Sequence, residues 1–179
     1  MDDRTRVAYH EAAHAVLAYR LGGHVLEPGI DIDAPSSVTG AYGRAGVTVF
    51  AHDDRLDERE QQTAVKHSVA IMCAGAASDA KILGRNLPDA LAHQPGDEKA
   101  ARELLKSSPS VTSPEEIEVV LQGGLKYAAR LLERSEIWKA IDAVAQACLK
   151  AGGNLSKVEI DRLLDAEFIE TRTAEASKS

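Results

Sequence analysis

The stretch VAYHEAAHAVLAYRLGG, residues 7–23, decides how the chain is read. Its apolar residues run nearly all the way round a helix, which predicts a central, buried helix rather than a surface one. Residues 3–21 form the expected element, closed by Gly22 and Gly23. Three polar groups interrupt it: His10, Glu11 and His14. Burying them without partners costs several kcal/mol, so the sequence demands a partner for them.

A divalent cation is the expected partner; the alternative is an exposed helix face that happens to carry the three residues. Helix positions four apart differ by about 40° in azimuth and about 6 Å in rise. His10 and His14 therefore project from one face, where two imidazoles converge on a zinc ion at about 2.0–2.1 Å each. Glu11 lies about 100° round the helix from His10 and flanks the ion. From there its carboxylate takes a proton from zinc-bound water, the general base's task. Zinc lowers the pKa of that water to about 7 and polarises a peptide carbonyl. In a chain of this composition the pattern arises by chance only about 0.02 times, so it is treated as a signal. A catalytic zinc needs a third protein ligand and leaves its fourth position to water. Spacing leaves His67, Asp79, His93 and Asp97 as candidates. An HExxHxxGxxH arrangement is excluded, because Arg20 stands where its third histidine would fall. His24 and His52 carry no signal.

Outward from the first helix, GIDID (29–33) and AGVTVFA (45–51) alternate at period two. The turn formers APSSVTGAYGR lie between them, so a β-hairpin or two short strands is expected. The 45–51 strand is a candidate sheet edge that accepts an extended peptide by strand addition. Residues 55–84 read as one long helical stretch, with small residues at 74–78 that imply close helix–helix contact. A loop with Pro88 and Pro95 follows, then a helix over 96–107 with acids in its first turn. SSPSVTSP (107–114) reads as a linker. Capping boxes at Ser113–Glu116 and Ser156–Glu159 open two further helices. Between them lies a helix over 135–151, ended by Gly152 and Gly153, with Trp138 in the core. Residues 171–179 read as a frayed tail. The expected fold class is mainly α (α+β): a helical domain with a small β-hairpin or sheet and a C-terminal helical bundle. One domain covers 1–170, with the zinc-site half in 1–106 and the C-terminal helices in 113–170.

Composition sets the outer bounds. A chain of 179 residues suits one domain. Hydrophobic residues make up 44% but aromatics only 4%, so aliphatic side chains and alanine must fill the core. A net charge of −7 argues against nucleic-acid binding. The acids Asp53, Asp54, Asp57, Glu58 and Glu60 read as a solvated face or a helix start. Cys73 and Cys148 are far apart, form no CxxC pair, and read as buried reduced thiols. Asp2, Asp3, Arg4 and Arg6 precede the first apolar run, so no signal peptide is expected. VAIMCAGAA (69–77) is too short for a membrane span, which needs roughly 20 residues. A cytoplasmic location is expected.

In order and spacing, these segments resemble the peptidase domain of the FtsH family of ATP-dependent zinc metalloproteases. VAYHEAAHAVLAYRLG is similar to that family's zinc helix, with Ala13 in place of its usual glycine. VAIMCAGAASDAKILG (69–84) is similar to the family's LGGRAAEEIVFG helix, and Asp79 falls at its first glutamate. QPGDEKAAREL (94–104) resembles TGASNDLQRATEL, whose aspartate supplies the third zinc ligand; here that is Asp97. SEIWKAIDAVAQACLKAGGNLSKVEIDRLL (135–164) is similar to the family's C-terminal helices. The resemblance implies a zinc metalloendopeptidase acting on unfolded or extended protein segments. It assigns His10, His14 and Asp97 to zinc, Glu11 as base, and Asp79 as acceptor for the free N–H of a zinc histidine. It also implies a homo-oligomer, typically a hexamer. Two features depart from the family. Its MV…YGMSD segment after the aspartate helix has no counterpart, and no GxxxxGK[ST] phosphate loop occurs in these residues. A separate ATPase or unfoldase partner is one expectation for supplying unfolded substrate. The alternative is a non-catalytic zinc-binding interaction or regulatory module derived from such a peptidase.

Overall fold

Helix α1 spans Asp3–Arg20. Asp2 caps it, its carboxylate accepting the Thr5 N–H at 2.7 Å. At the far end Gly22 takes a φ of +86°, and the Gly23 N–H reaches the Ala18 carbonyl at 2.8 Å, which closes the last turn. Every residue from Val7 to Ala18 is buried. The structure is a computed structural model and describes residues 1–35, 42–49 and 55–176.

The remaining elements wrap this helix. Strands β1 (Val25–Pro35) and β2 (Tyr42–Val47) pair antiparallel, with Ile30 opposite Ala45. Helices α2 (Glu58–Met72), α3 (Ala74–Leu83), α4 (Leu87–Ala92), α5 (Pro95–Ser107), α6 (Pro114–Leu132) and α7 (Ser135–Lys150) follow. A two-residue strand β3 (Asn154–Leu155) and helix α8 (Lys157–Ala176) end the chain. Sheet order is β2-β1-β3, so β2 is an edge strand. Helices α3 and α7 and the β1–β2 pair pack on α1. One apolar core runs from Val7 to Leu164, built largely from alanine, valine, leucine and isoleucine, as the low aromatic content requires. The fold is mainly helical with a small antiparallel sheet, as expected.

Local sequence accounts for most boundaries. The capping boxes at Ser113–Glu116 and Ser156–Glu159 both form. A third opens α2, where Asp57 accepts the Glu60 N–H and the Glu60 carboxylate accepts the Asp57 N–H. This resolves part of the acidic run as a helix start; Asp53 and Asp54 lie outside the described residues, as do His52 and the end of the expected 45–51 strand. Trp138 is half-buried against the core and stacks on Tyr9, with ring centroids 5.9 Å apart.

Four expectations are corrected. The single helix over 55–84 is two helices, divided at Cys73, whose backbone sits at φ −89° and ψ 0°. Apolar and small residues continue across that bend, so hydrophobic periodicity does not register it. The Pro88 loop contains α4: the Asn86 side chain accepts the Asp89 N–H at 3.0 Å, and the proline falls in the first turn, where it is tolerated. Strand β3 is too short to leave a period-two signal, and is defined by its pairing with Ile30 and Asp31 of β1. Residues 171–176, expected to fray, continue α8.

Two adjacent glycines in α6 offer a matched test of packing. A methyl group on Gly124 would lie 2.4 Å from Val69 Cγ1, whereas one on Gly123 meets nothing within 4 Å. Gly123→Ala is expected to stabilise the protein by about 0.5–1 kcal/mol, through better helix propensity alone. Gly124→Ala is expected to destabilise it by about 1–3 kcal/mol, through overpacking between α2 and α6. Urea unfolding of both variants checks this; equal effects would contradict the close α2–α6 contact.

Candidate metal centre

Helix α1 delivers His10, Glu11 and His14 to the interior, each 6% exposed. Helix α5 delivers Asp97 from its first turn, three residues after the Gln94 cap. The His10 Nε2 to His14 Nε2 distance is 3.3 Å. Asp97 Oδ2 lies 3.2 Å from His10 Nε2 and 3.3 Å from His14 Nε2. Among the described residues this is the one group of three or more His, Cys, Asp or Glu with ligand atoms within 4.8 Å of one another.

The outer ring nitrogens determine what these atoms are. His14 Nδ1–H donates to the Ile71 carbonyl at 2.7 Å. His10 Nδ1–H points at Asp79 Oδ2, at 3.4 Å. In the neutral rings both Nε2 atoms therefore carry lone pairs. Two lone pairs and a carboxylate oxygen face one another, and Asp97 Oδ2 is buried without a hydrogen-bond donor. Such a set is repulsive unless a cation or added protons sit among them. A tetrahedral zinc ion with ligands at about 2.0–2.1 Å holds donor atoms about 3.3–3.4 Å apart. The three edges, 3.2, 3.3 and 3.3 Å, match that spacing. By donor chemistry and by spacing, the residues fit a zinc ion.

The surroundings hold the donors in place. Asp79 Oδ2, on α3, accepts from Arg6 of α1 at 2.9 Å and from Gln94 at the start of α5 at 2.6 Å, besides facing His10. One buried carboxylate thus joins the three elements that surround the ligands, and it fixes the His10 ring. Gly75 at the start of α3 makes room: a Cβ there would lie 2.2 Å from His10 Nε2. Glu11 lies against β2, where the nearby Ala45 N–H favours its charged form. Gly43 is needed beside it, since a Cβ would lie 2.6 Å from Glu11 Oε1, and its φ of +116° also favours glycine. Burial raises the pKa of Glu11, against the pull of His10 and His14. A cleft of about 240 Å³ opens beside Glu11, His14 and Asp97, walled by β2 and by the apolar Val47, Val49 and Met72.

Of the four residues that spacing left as third ligands, Asp97 lies at the histidine nitrogens and Asp79 lies one shell outward. His67 is away from them, stacked on Tyr127 at 6.0 Å between ring centroids. His93 is exposed, its ring bonded to the Asp89 carbonyl at 2.7 Å. Sequence reasoning missed Arg6, Gln94, Gly43 and Gly75 as parts of the site. Only Gly75 left a trace, in the run of small residues at 74–78. Cys73 and Cys148 are buried free thiols, and burial, with Asp97 and Glu98 nearby, pushes Cys73 up to about 12.

Without a cation the same cluster binds protons. Burial opposes a charge on His10, but Asp79 and Asp97 outweigh it and hold its pKa well above the ordinary 6.5. His14 is raised likewise, with Asp97 overcoming burial. Burial pushes the Asp97 and Asp79 carboxyls up, yet the histidines, with Arg6 at Asp79, hold both below the ordinary 3.8. The raised histidines stabilise the fold fully below pH 6.5 and lose that contribution as pH climbs through their folded values. The lowered aspartates contribute above pH 3.8 and lose it only as pH falls through theirs. Chelator-treated protein is therefore expected to lose thermal stability as pH rises above 6.5, while zinc affinity increases over the same interval. Thermal melts with and without zinc at a series of pH values check this; a flat metal-free profile contradicts it. Gly75→Ala is expected to weaken zinc binding by roughly 10- to 100-fold, the usual scale for disturbing the residues behind a ligand. Competition against a chromophoric chelator reads this, and native affinity in the variant would contradict the cradle. Among the described residues, no helix is long and apolar enough to cross a membrane. No family model matches the chain, and no curated protein matches it.

Proposed function

We propose that the chain is a zinc-dependent metalloendopeptidase that hydrolyses unfolded or extended protein segments, related to the peptidase domain of FtsH-type proteases. The observation that carries this reading is the meeting of two imidazole lone pairs and the Asp97 carboxylate at 3.2–3.3 Å, with Glu11 buried on the adjoining face of the same helix. His10, His14 and Asp97 hold the ion. A zinc ion held there supplies Lewis acidity, making water more acidic and a peptide carbonyl more electrophilic. Glu11 takes the proton of the attacking water and returns it to the leaving amine. Its place on the face of α1 beside the ligands lets it serve both steps. Asp79 and the Ile71 carbonyl keep both imidazoles in the ligating tautomer.

The edge position of β2 suits a substrate that adds as a further strand along the cleft, with an apolar side chain against Val47, Val49 and Met72. A segment already extended adds to that edge without first giving up its own structure, hence the preference for unfolded segments. Within this proposal, an ATPase partner, or substrates already disordered, supplies the extended chain. Assembly as a homo-oligomer, a hexamer by likeness to the family, belongs to the same proposal. The buried free thiols suit a reducing, cytoplasmic setting. The alternative reading is a zinc-binding interaction module without catalysis.

Digestion of an unfolded protein such as casein separates the two. The native chain is expected to cleave it, and Glu11→Gln to lose roughly 10²–10⁴-fold in rate while keeping its zinc. Equal inertness of both proteins, each holding one zinc, would remove the peptidase reading in favour of the module.

A further inference from the structure

We infer that Arg44 makes the cleft selective for protein segments carrying a carboxylate beside the apolar residue that the cleft accepts. This rests on the peptidase reading and names the substrate class of that site. Arg44 stands on the edge strand β2 between Gly43 and Ala45, the two residues that shape the seat of Glu11. It is exposed, and it lines the same 240 Å³ cleft as Glu11, His14 and Asp97. The rest of that lining is apolar or glycine: Ala45, Val47, Val49, Met72, Ala100 and Gly43. Among the described residues Arg44 is the cleft's one cationic side chain besides the His14 ring.

Its position is what points to a ligand: it is the one described arginine that lines the cleft, and it makes no ion pair there. Arg4 pairs with Asp33, Arg6 with Asp3 and Asp79, and Arg102 with Glu98 and Glu118. Arg44 makes no hydrogen bond or ion pair among the described residues. An acid is at hand: Asp31 is its cross-strand neighbour on β1. Yet the Asp31 carboxylate accepts the Asp33 N–H at 3.0 Å instead. The guanidinium is left with its planar fork of five donors at the mouth of the cleft, a shape that takes a carboxylate in two parallel bonds. The protein is otherwise poorly disposed to acidic segments. It carries a net charge of −7, and Glu11 and Asp97 add carboxylates inside the cleft. A cation at this place offsets that repulsion where the segment lies. A glutamate or aspartate side chain and a free C-terminal carboxylate present the same chemistry to it.

Fluorescent decapeptides test the inference directly. They share an aliphatic centre and carry Glu, Gln or Lys at the flanking positions, with blocked ends. A further Gln peptide has a free C-terminal carboxylate. Binding is read by anisotropy on zinc-treated Glu11→Gln protein, so that no turnover is needed. The Glu peptide is expected to bind roughly tenfold more tightly than the Lys peptide, the scale of one charge-assisted bidentate pair. Arg44→Ala is expected to flatten that order and Arg44→Glu to reverse it, while thermal melts of both stay at the native midpoint, since the side chain is exposed. Tighter binding of the free-acid Gln peptide than of its blocked form assigns the carboxylate to a chain terminus; tighter binding of the Glu peptide assigns it to a side chain. An unchanged preference in Arg44→Ala, or no preference or no binding by the unsubstituted site, overturns the inference. Cleavage of the same peptides by the chain with Glu11 intact keeps the two claims apart. Arg44-dependent binding without cleavage would sink the peptidase reading alone, and cleavage indifferent to flanking charge would sink the role of Arg44 alone.

Discussion

Three hydrogen-bond acceptors meet in the interior with no donor among them. His10 and His14 each spend their ring proton outward, on Asp79 and on the Ile71 carbonyl, and Asp97 turns a buried oxygen toward the nitrogens that remain. Positive charge must enter that space, as protons or as a metal ion. Much of the surrounding structure serves this constraint. The bend at Cys73 sets α3 at an angle that brings Gly75 against the His10 ring and Asp79 behind it. The Asp79 carboxylate then ties Arg6 and Gln94 together, so that α1 and the start of α5 keep a fixed distance.

The general base is held from the opposite side. Glu11 shares a helix with the two histidines but lies against β2, beside the Ala45 N–H, and takes its room from Gly43. The ligands are thus fixed by helices and the base by the sheet edge. In the proposed reaction this separation suits the two tasks, because ligands must stay still while the base exchanges a proton beside an incoming strand. The same strand carries Arg44, so one short segment sets both the position of the base and the charge met by the substrate.

How much of this the sequence disclosed depends on the range of each interaction. The central helix was legible because its apolar residues surround it and because its closing signal, Gly22 and Gly23, is local. The capping boxes at Ser113 and Ser156 were legible for the same reason. His10, Glu11 and His14 declared themselves by spacing alone. Asp97 did not: spacing left four residues open, and a family resemblance singled it out. Its nearness to the histidines depends on the first turn of α5 reaching the middle of α1, a contact between residues more than eighty apart that no local pattern encodes. Gln94, Arg6 and Gly43 are ordinary loop, helix-end and turn residues when read locally. Their roles exist only once α1, α3, α5 and β2 are packed. The division of 55–84 into two helices escaped because the bend preserves burial on both sides, and β3 escaped because two residues carry no period.

The central claim, that the three acceptors are organised by zinc, is tested most directly by the metal itself. Protein purified without chelator is examined by elemental analysis and by zinc X-ray absorption. The account predicts one zinc per chain in a four-coordinate shell of nitrogen and oxygen at about 2.0–2.1 Å, with no sulfur. Protein without stoichiometric zinc, or a shell containing sulfur from Cys73, would contradict it.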